Sequence, residues 1–357
     1  MNINRKSGGV MDFIYKKFFK SLLIMFFILI FFTLFLYMDY KKYINSPISK
    51  SKKQEIFRVE KGENRNEVID KLYKSKIVKN KLFAQFYVRS KNLGKNLKQG
   101  VYILNTSMTP LEVFEKIFNG KIDKDPDVIF VTIPEGYTIK EIAEKLNKEG
   151  LVNDINSFIK ECQTGKFDYD FLKSIPQSRQ SRLEGYLFPD TYQFKKGTSN
   201  HEIIDKMLSR FNEIYKSAVF LEMKNTNYSL DEIITISSIV EEEAKLDIER
   251  PIIAKVFYNR LQKNMKLESC ATVQYALGTH KSVLYYKDLE VDSPYNTYKY
   301  IGLPQGPICN PGKNSIMAAL NPADVNYIYF VSKGDGSHYF TNSYDEFLKY
   351  KKMLKTN

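Results

Sequence analysis

The residues best suited to chemistry lie in one short run, Leu183-Glu-Gly-Tyr-Leu-Phe-Pro-Asp-Thr-Tyr-Gln-Phe194. Glu184 has bulky apolar and aromatic neighbours in sequence, and Gly185 gives the backbone beside it freedom. If the rings fold around the carboxyl group, loss of water disfavours its charged form and raises its pKa. A carboxylic acid that keeps its proton near neutral pH is what protonation of a glycosidic oxygen requires. The rings nearby could also hold sugar faces. A second reading of the same residues stays open: a buried Glu paired with an Arg such as Arg182 or Arg260.

A second set of carboxylates belongs to a strongly helical stretch, residues 229–265. Ser229 and Glu232 form an S-x-x-E capping box, and Pro251 suits the first turn of a second helix. Ile233, Ser237, Val240 and Ala244 share one face. Relative to that stripe Glu241 lies ~60° away, Glu243 ~100° and Glu242 ~160°. Glu242 should therefore be solvated, with Glu241 and Glu243 flanking the buried face. Other chemistries find little support. G-x-S-x-G, H-E-x-x-H, S-x-x-K with its companion motifs and GxxxxGK[ST] are all missing from the sequence. His201, His280 and His338 are too scattered to suggest a triad, and His338, in a hairpin, suits a structural role. Cys162, Cys270 and Cys309 form no CxxC or Cys/His cluster, so no metal or other cofactor is expected.

These residues need elements to position them. A chain of 357 residues is long enough for two or three domains. Residues Ser21 to Met38 carry no charge, and 18 residues of helix span ~27 Å, close to the thickness of a bilayer's hydrocarbon core. The run ends in Tyr37-Met38-Asp39-Tyr40 rather than a small-x-small cleavage site, which favours an uncleaved anchor. Arg5, Lys6, Lys16, Lys17 and Lys20 against Asp12 favour a cytoplasmic N-terminus, although Lys41 and Lys42 blur that signal. The rest of the chain is then extracellular. Residues 39–55, polar and with Pro47, read as a linker.

Two similar stretches follow at an offset of 74. Gly62 falls on Gly136, Glu67 on Glu141, Lys71 on Lys145 and Leu72 on Leu146. Each reads as strand, Gly turn and amphipathic helix. Near the end, residues 327–332 and 338–341 read as a hairpin turning at Gly334-Asp335-Gly336, followed by a helix. The net charge of +13 favours anionic partners, or a solvated lysine-rich surface. No nucleic-acid motif accompanies it, so no nucleic-acid partner is expected.

Four motifs, in order, resemble the YceG-like (MltG-type) endolytic murein transglycosylases over roughly residues 55–350. They are Leu183-Glu-Gly-Tyr-Leu-Phe-Pro-Asp-Thr-Tyr192, Ser238-Ile-Val-Glu-Glu-Glu-Ala244, Val256-Phe-Tyr-Asn-Arg-Leu261 and Ser293-Pro-Tyr-Asn-Thr-Tyr298. The last leads into Gly302-Leu-Pro-Gln-Gly-Pro-Ile308 and Asn310-Pro-Gly312. Residues 56–121 are similar to a LysM module, which implies glycan binding, with a spacer role as the alternative. The expected architecture is α+β: tail 1–20, transmembrane helix 21–38, linker, LysM-like module 56–121, then a mixed catalytic domain 128–357. Within that domain, residues 128–175 form the second strand–turn–helix unit and 176–357 the catalytic core.

The resemblance implies that Glu184 is the acid and base of a lytic transglycosylase. Such an enzyme cuts the bond between N-acetylmuramic acid and N-acetylglucosamine without water and leaves a 1,6-anhydro end. It also implies supporting or substrate-contacting roles for Glu241, Glu243, Tyr186, Asp190, Tyr192, Asn259, Arg260, Thr272, Tyr295, Asn296 and Tyr298. Glu241 and Glu243 could equally hold the motif loops through Arg250 or Arg260. The partners implied are peptidoglycan strands, the membrane and peptidoglycan synthases, with a role in ending nascent strand elongation. Some relatives read S/T-D-[AP]-T-V where this chain has Ser269-Cys-Ala-Thr-Val273, which leaves the role of an Asp there in doubt. Cys270 and Cys309 both fall in motif regions, so a disulfide between them is one expectation and two buried thiols the other. Two further functions remain: a muramidase using two carboxylates and water, and a non-catalytic wall-binding anchor.

Overall fold

The two glycine-bearing stretches fold alike, and one lies in each compact unit of the chain. The structure is a computed structural model that describes residues 7–49, 51–177, 179–281 and 283–355. The units are residues 1–126 and 127–357. Arg5 and Lys6, used above for orientation, lie outside the described residues.

Unit 1 begins with α1 (Ser7–Asn45), whose apolar part is exposed and long enough to cross a membrane. The helix continues through residues 39–45, where a linker was expected. No breaker occurs before Ser46-Pro47, and Ile44 is buried in the core of the unit. β1 (Gln54–Val59), α2 (Arg65–Lys74), α3 (Lys81–Ser90), β2 (Gly100–Asn105) and α4 (Pro110–Phe118) follow. β1 and β2 pair antiparallel, with Phe57 opposite Tyr102. Val68, Leu72, Val113, Phe114 and Phe118 fill the core beneath them.

Unit 2 repeats the order. β3 (Val128–Thr132), α5 (Ile139–Lys148) and α6 (Ile155–Thr164) fall on β1, α2 and α3 with the same offset of 74. β4 (Thr191–Lys195) then pairs antiparallel with β3, Val131 opposite Tyr192, and α7 (Asn200–Ile214) follows as α4 follows β2. A matched cap starts each first helix: Asn64 with Glu67 for α2, and Thr138 with Glu141 for α5. Gly62 and Gly136 both have positive φ in the preceding turn.

The chain continues through a short helical turn, α8 (Phe220–Glu222), into a helical layer. This comprises α9 (Leu230–Glu243), α10 (Arg250–Gln262), α11 (Cys270–Leu277) and α12 (Lys313–Leu320). The expected Ser229–Glu232 capping box starts α9, and Ile233, Ile236, Ser237 and Val240 are buried. The expected hairpin is β5 (Tyr329–Ser332) with β6 (His338–Thr341), followed by α13 (Tyr344–Lys355). His338 hydrogen-bonds Glu249 through Nδ1 at 2.7 Å, a structural place. The fold is α+β, with two-stranded sheets and helices carrying most of the core.

Candidate active site

Glu184 sits in the long link, residues 165–190, between α6 and β4. Gly185 makes the turn there with φ +90°, and a Cβ on it would meet Pro307 Cγ at 2.6 Å and Ile234 Cγ2 at 2.7 Å. The link is fixed on both sides of the acid. Tyr186 is buried against the rings of Phe171 and Phe211, and its hydroxyl donates to Asp231 at 2.8 Å. Asp231 in turn pairs with the buried Arg179.

Glu184 is 2% exposed. Its Oε1 accepts from the Ile139 backbone N–H at 3.0 Å and from Asn310 Nδ2 at 3.0 Å, while Oε2 faces the Tyr275 hydroxyl at 3.1 Å. All three partners are neutral. Arg182 instead reaches the Gly165 carbonyl, and Arg260 holds carbonyls of Lys266, Leu267 and Ile328, so the ion-paired reading of Glu184 is corrected. Burial raises the pKa to about 8, outweighing the three hydrogen bonds that favour the charged form. Two N–H donors on Oε1 mark it as the oxygen without the proton. Oε2 is left as the acidic end, beside Tyr275.

The Ile139 N–H is free to do this because it belongs to the first residue of α5, where no intrahelical acceptor exists. Asn310 is the other organiser. Its N–H donates to the Tyr137 carbonyl, its own carbonyl accepts from Gly136, and its Oδ1 accepts from Leu187 N–H at 2.8 Å. One side chain thus ties the α5 turn to the Glu184 link.

A cleft of about 660 Å³ opens beside the acid, with Thr138, Glu141, Glu242, Tyr275, His280 and Tyr295 among its walls. The Tyr275 and Tyr295 rings pack with centroids 4.7 Å apart. Glu242 is exposed, as its place on the helix requires, but it faces this concave wall. Loss of water there, with Glu141, Glu241 and Glu243 nearby, raises its pKa to about 7.

Comparisons with known proteins point to one family. The profile of the YceG-like family covers residues 57–353. A protein named endolytic murein transglycosylase from Bacillus subtilis (strain 168) is 35% identical, over 87% of this chain and 88% of its own length. One of the same name from Streptococcus pneumoniae (serotype 2, strain D39) is 33% identical over 87% of this chain, which spans 60% of that longer relative. A crystal structure of a yceG-like protein from Listeria monocytogenes is 36% identical and aligns with a TM-score of 0.56, covering 84% of this chain and 99% of that one.

The chain belongs to the YceG-like family.

In this YceG-like protein the other residues singled out from sequence fall into two groups. Tyr295 lines the cleft with Glu184. The rest hold the surrounding scaffold. Glu241 pairs with Arg250 at 3.0 Å and accepts from Gly312 N–H at 2.8 Å, and Glu243 accepts from Ser269 at 2.6 Å with its pKa raised by burial. Asp190 pairs with Arg210, and the Tyr192 hydroxyl donates to the Phe188 carbonyl. Asn259 donates to the Val325 and Tyr327 carbonyls, which with Arg260 secures the approach to β5. Thr272 bonds Ser269 and Thr297, and Asn296 clamps the Leu289 and Val291 carbonyls. The Tyr298 hydroxyl lies 3.2 Å from Cys270 Sγ. Cys270 is an exposed free thiol and Cys309 a buried one beside the Ser238 carbonyl, so the expected disulfide is replaced by two separate contacts.

Sequence reasoning did not single out Tyr275, Asn310 or the Ile139 N–H as partners of the acid. Asn310 stood inside a quoted motif, and that was its one signal. Tyr275 is an aromatic in an ordinary helical run, and the Ile139 N–H is backbone.

Proposed function

We propose that this YceG-like protein is an endolytic murein transglycosylase with Glu184 as its acid and base. The observation that carries the reading is a buried carboxyl at the edge of a cleft, held by neutral donors, with a pKa of about 8. Relatives 33–35% identical over 87% of this chain are named endolytic murein transglycosylases, which supports the reading. The cleft volume is in the range of small-ligand sites and leaves room for sugar rings.

Glu184 gives its Oε2 proton to the bridging oxygen between N-acetylmuramic acid and N-acetylglucosamine as the muramoyl C1–O bond breaks. The muramoyl C6 hydroxyl closes on C1, and its proton returns to the Glu184 carboxylate. The acid is regenerated, no water enters, and a 1,6-anhydro end results. Asn310 and the Ile139 N–H keep Oε1 fixed through both transfers, and Tyr275 supports Oε2. A hydrolytic muramidase would need a second free carboxylate facing the reaction. Glu241 and Glu243 are committed to Arg250, Gly312 and Ser269, which disfavours them for that work.

The apolar α1 and the basic residues before it support a single-pass anchor with a cytoplasmic N-terminus and an extracellular catalytic unit. Such a tether fits cutting of strands as they leave the synthases, and so a role in ending their elongation. The β1–α2–α3–β2 order of unit 1 supports the LysM-like reading of that module.

Full-length protein incubated with uncrosslinked glycan strands tests the reaction. Mass spectrometry should find new ends lighter by one water than hydrolytic ends. Glu184→Gln should abolish them while circular dichroism stays unchanged. Water-containing ends would establish the muramidase instead, and binding without new ends the anchor.

A further inference from the structure

The outer face of α3 exposes two large apolar side chains on successive turns, Leu82 at 74% and Phe86 at 61%. Isolated exposed apolar residues need no explanation, but this pair stands beside the helix read as the membrane span. α1 does not end at the apolar run. It carries Tyr40, Tyr43 and Ile44 up to the core of unit 1, where Ile44 is 4% exposed. The Tyr40 ring packs edge-on against Phe83 at 5.5 Å and Phe86 at 5.4 Å. Tyr43 packs on Phe83 at 5.6 Å, and its hydroxyl reaches the Asn80 carbonyl.

The order of these contacts gives α3 a direction. Asn80, at its start, meets Tyr43, and Phe86, near its end, meets Tyr40. α3 therefore descends along α1 towards the apolar run that ends at Met38. Tyr40 is two residues past Met38, about 3 Å along the helix axis. The Phe86 ring lies 5.4 Å from that ring, so it stands within about 8 Å of the hydrocarbon boundary. Tyr40 itself is a ring of the kind that settles at a membrane–water interface. Beyond Phe86 come Arg89 and Lys91, both exposed, and Lys41 and Lys42 lie on the same stretch of α1. Long basic side chains at that level reach lipid phosphates while their stems stay against apolar surface.

We propose that the Leu82–Phe86 face of α3 is a membrane-docking surface, seated in the interfacial layer of the bilayer that α1 crosses. It fixes unit 1 against the membrane, so that the chain has two points of attachment rather than a swivelling tether. This rests on the reading of α1 as a span, and the test separates the two.

The chain has no tryptophan, so Phe86→Trp and Ile30→Trp each give a single tryptophan, excited apart from the tyrosines at the red edge of the band. Both full-length variants are reconstituted into phosphatidylcholine–phosphatidylglycerol vesicles, with bromines either near the headgroups or near the chain ends. Trp emission at position 86 should be blue-shifted and quenched chiefly by the shallow bromines. At position 30 it should be quenched chiefly by the deep ones. Quenching at position 30 with water-like, unquenched emission at position 86 overturns the docking face and leaves the span standing. No quenching at position 30 overturns the span, and the proposal with it.

Discussion

The link from the second helix to the return strand covers residues 91–99 in unit 1 and residues 165–190 in unit 2. In both units it passes the N-terminus of the first helix. In unit 1 the short link offers a backbone carbonyl, Leu93, which accepts from Arg65 Nη1 at 3.0 Å. Arg65 is the first residue of α2. In unit 2 the corresponding first residue of α5 is Ile139, and the long link brings the Glu184 carboxyl to its N–H. One arrangement of strands and helices thus serves twice. The longer link has the residues to carry an acid and to anchor it through Tyr186 packed on Phe171 and Phe211, and the shorter one only spans the gap.

The largest effect that sharpens this contrast is in pH dependence. Glu184 has a folded pKa of about 8 against 4.5 when unfolded, so between these values the folded state binds the extra proton. Stability should fall as pH rises through that window, by about 1.4 kcal/mol per unit and about 5 kcal/mol across it. Glu184→Gln imitates the protonated group and should remove the slope. Urea titrations of the two proteins should agree near pH 4.5 and separate progressively towards pH 8; parallel curves would mean that the buried acid is not what titrates. Unit 1 has the opposite sign. Burial pushes Glu63 up, but the Lys71 ammonium prevails and holds it below the usual range. Its contribution is present above the unfolded pKa and lost as pH falls. Glu63→Gln should weaken the protein near neutral pH and leave it unchanged in acid.

Next in size is a pair of alanines. Gly185 and Gly62 have nearly the same φ, +90° and +88°. A methyl group at Gly62 meets open space, whereas at Gly185 it meets Pro307 and Ile234. Gly62→Ala should cost about 1 kcal/mol from backbone strain alone, and Gly185→Ala about 4 kcal/mol with overpacking added. Equal losses in thermal unfolding would show that the acid-bearing link is no more tightly seated than its counterpart.

The smallest expected effect is that of Tyr275→Phe. It removes one hydrogen bond that favours the charged form of Glu184, so the alkaline fall in activity should move above about pH 8. The rate at neutral pH should stay within about tenfold. A fall moving to lower pH would contradict the assigned geometry.

Much of this was written locally. The offset of 74 showed the paired strand–turn–helix starts, because capping residues, a glycine turn and apolar spacing act over a few residues. α9 and the final hairpin were readable for the same reason. The second helices, the return strands and the unequal links were not, since β1 finds β2 and β3 finds β4 across long stretches of chain. The run past Met38 to Asn45 was also missed, because Ile44 is held by a core that forms elsewhere in unit 1.

At the site, sequence by itself placed bulky apolar and aromatic neighbours beside Glu184 along the chain and left its partner open between none and an arginine. It also determined that Glu242 would point away from the buried face of its helix. Only tertiary structure decided that the acid is buried with neutral partners, drawn from 45, 91 and 126 positions away. It likewise decided that Glu242 points into a cleft, while Glu241 and Glu243 brace the loops. A residue type carries its chemistry with it, but its solvation and its donors belong to whatever the rest of the chain packs around it.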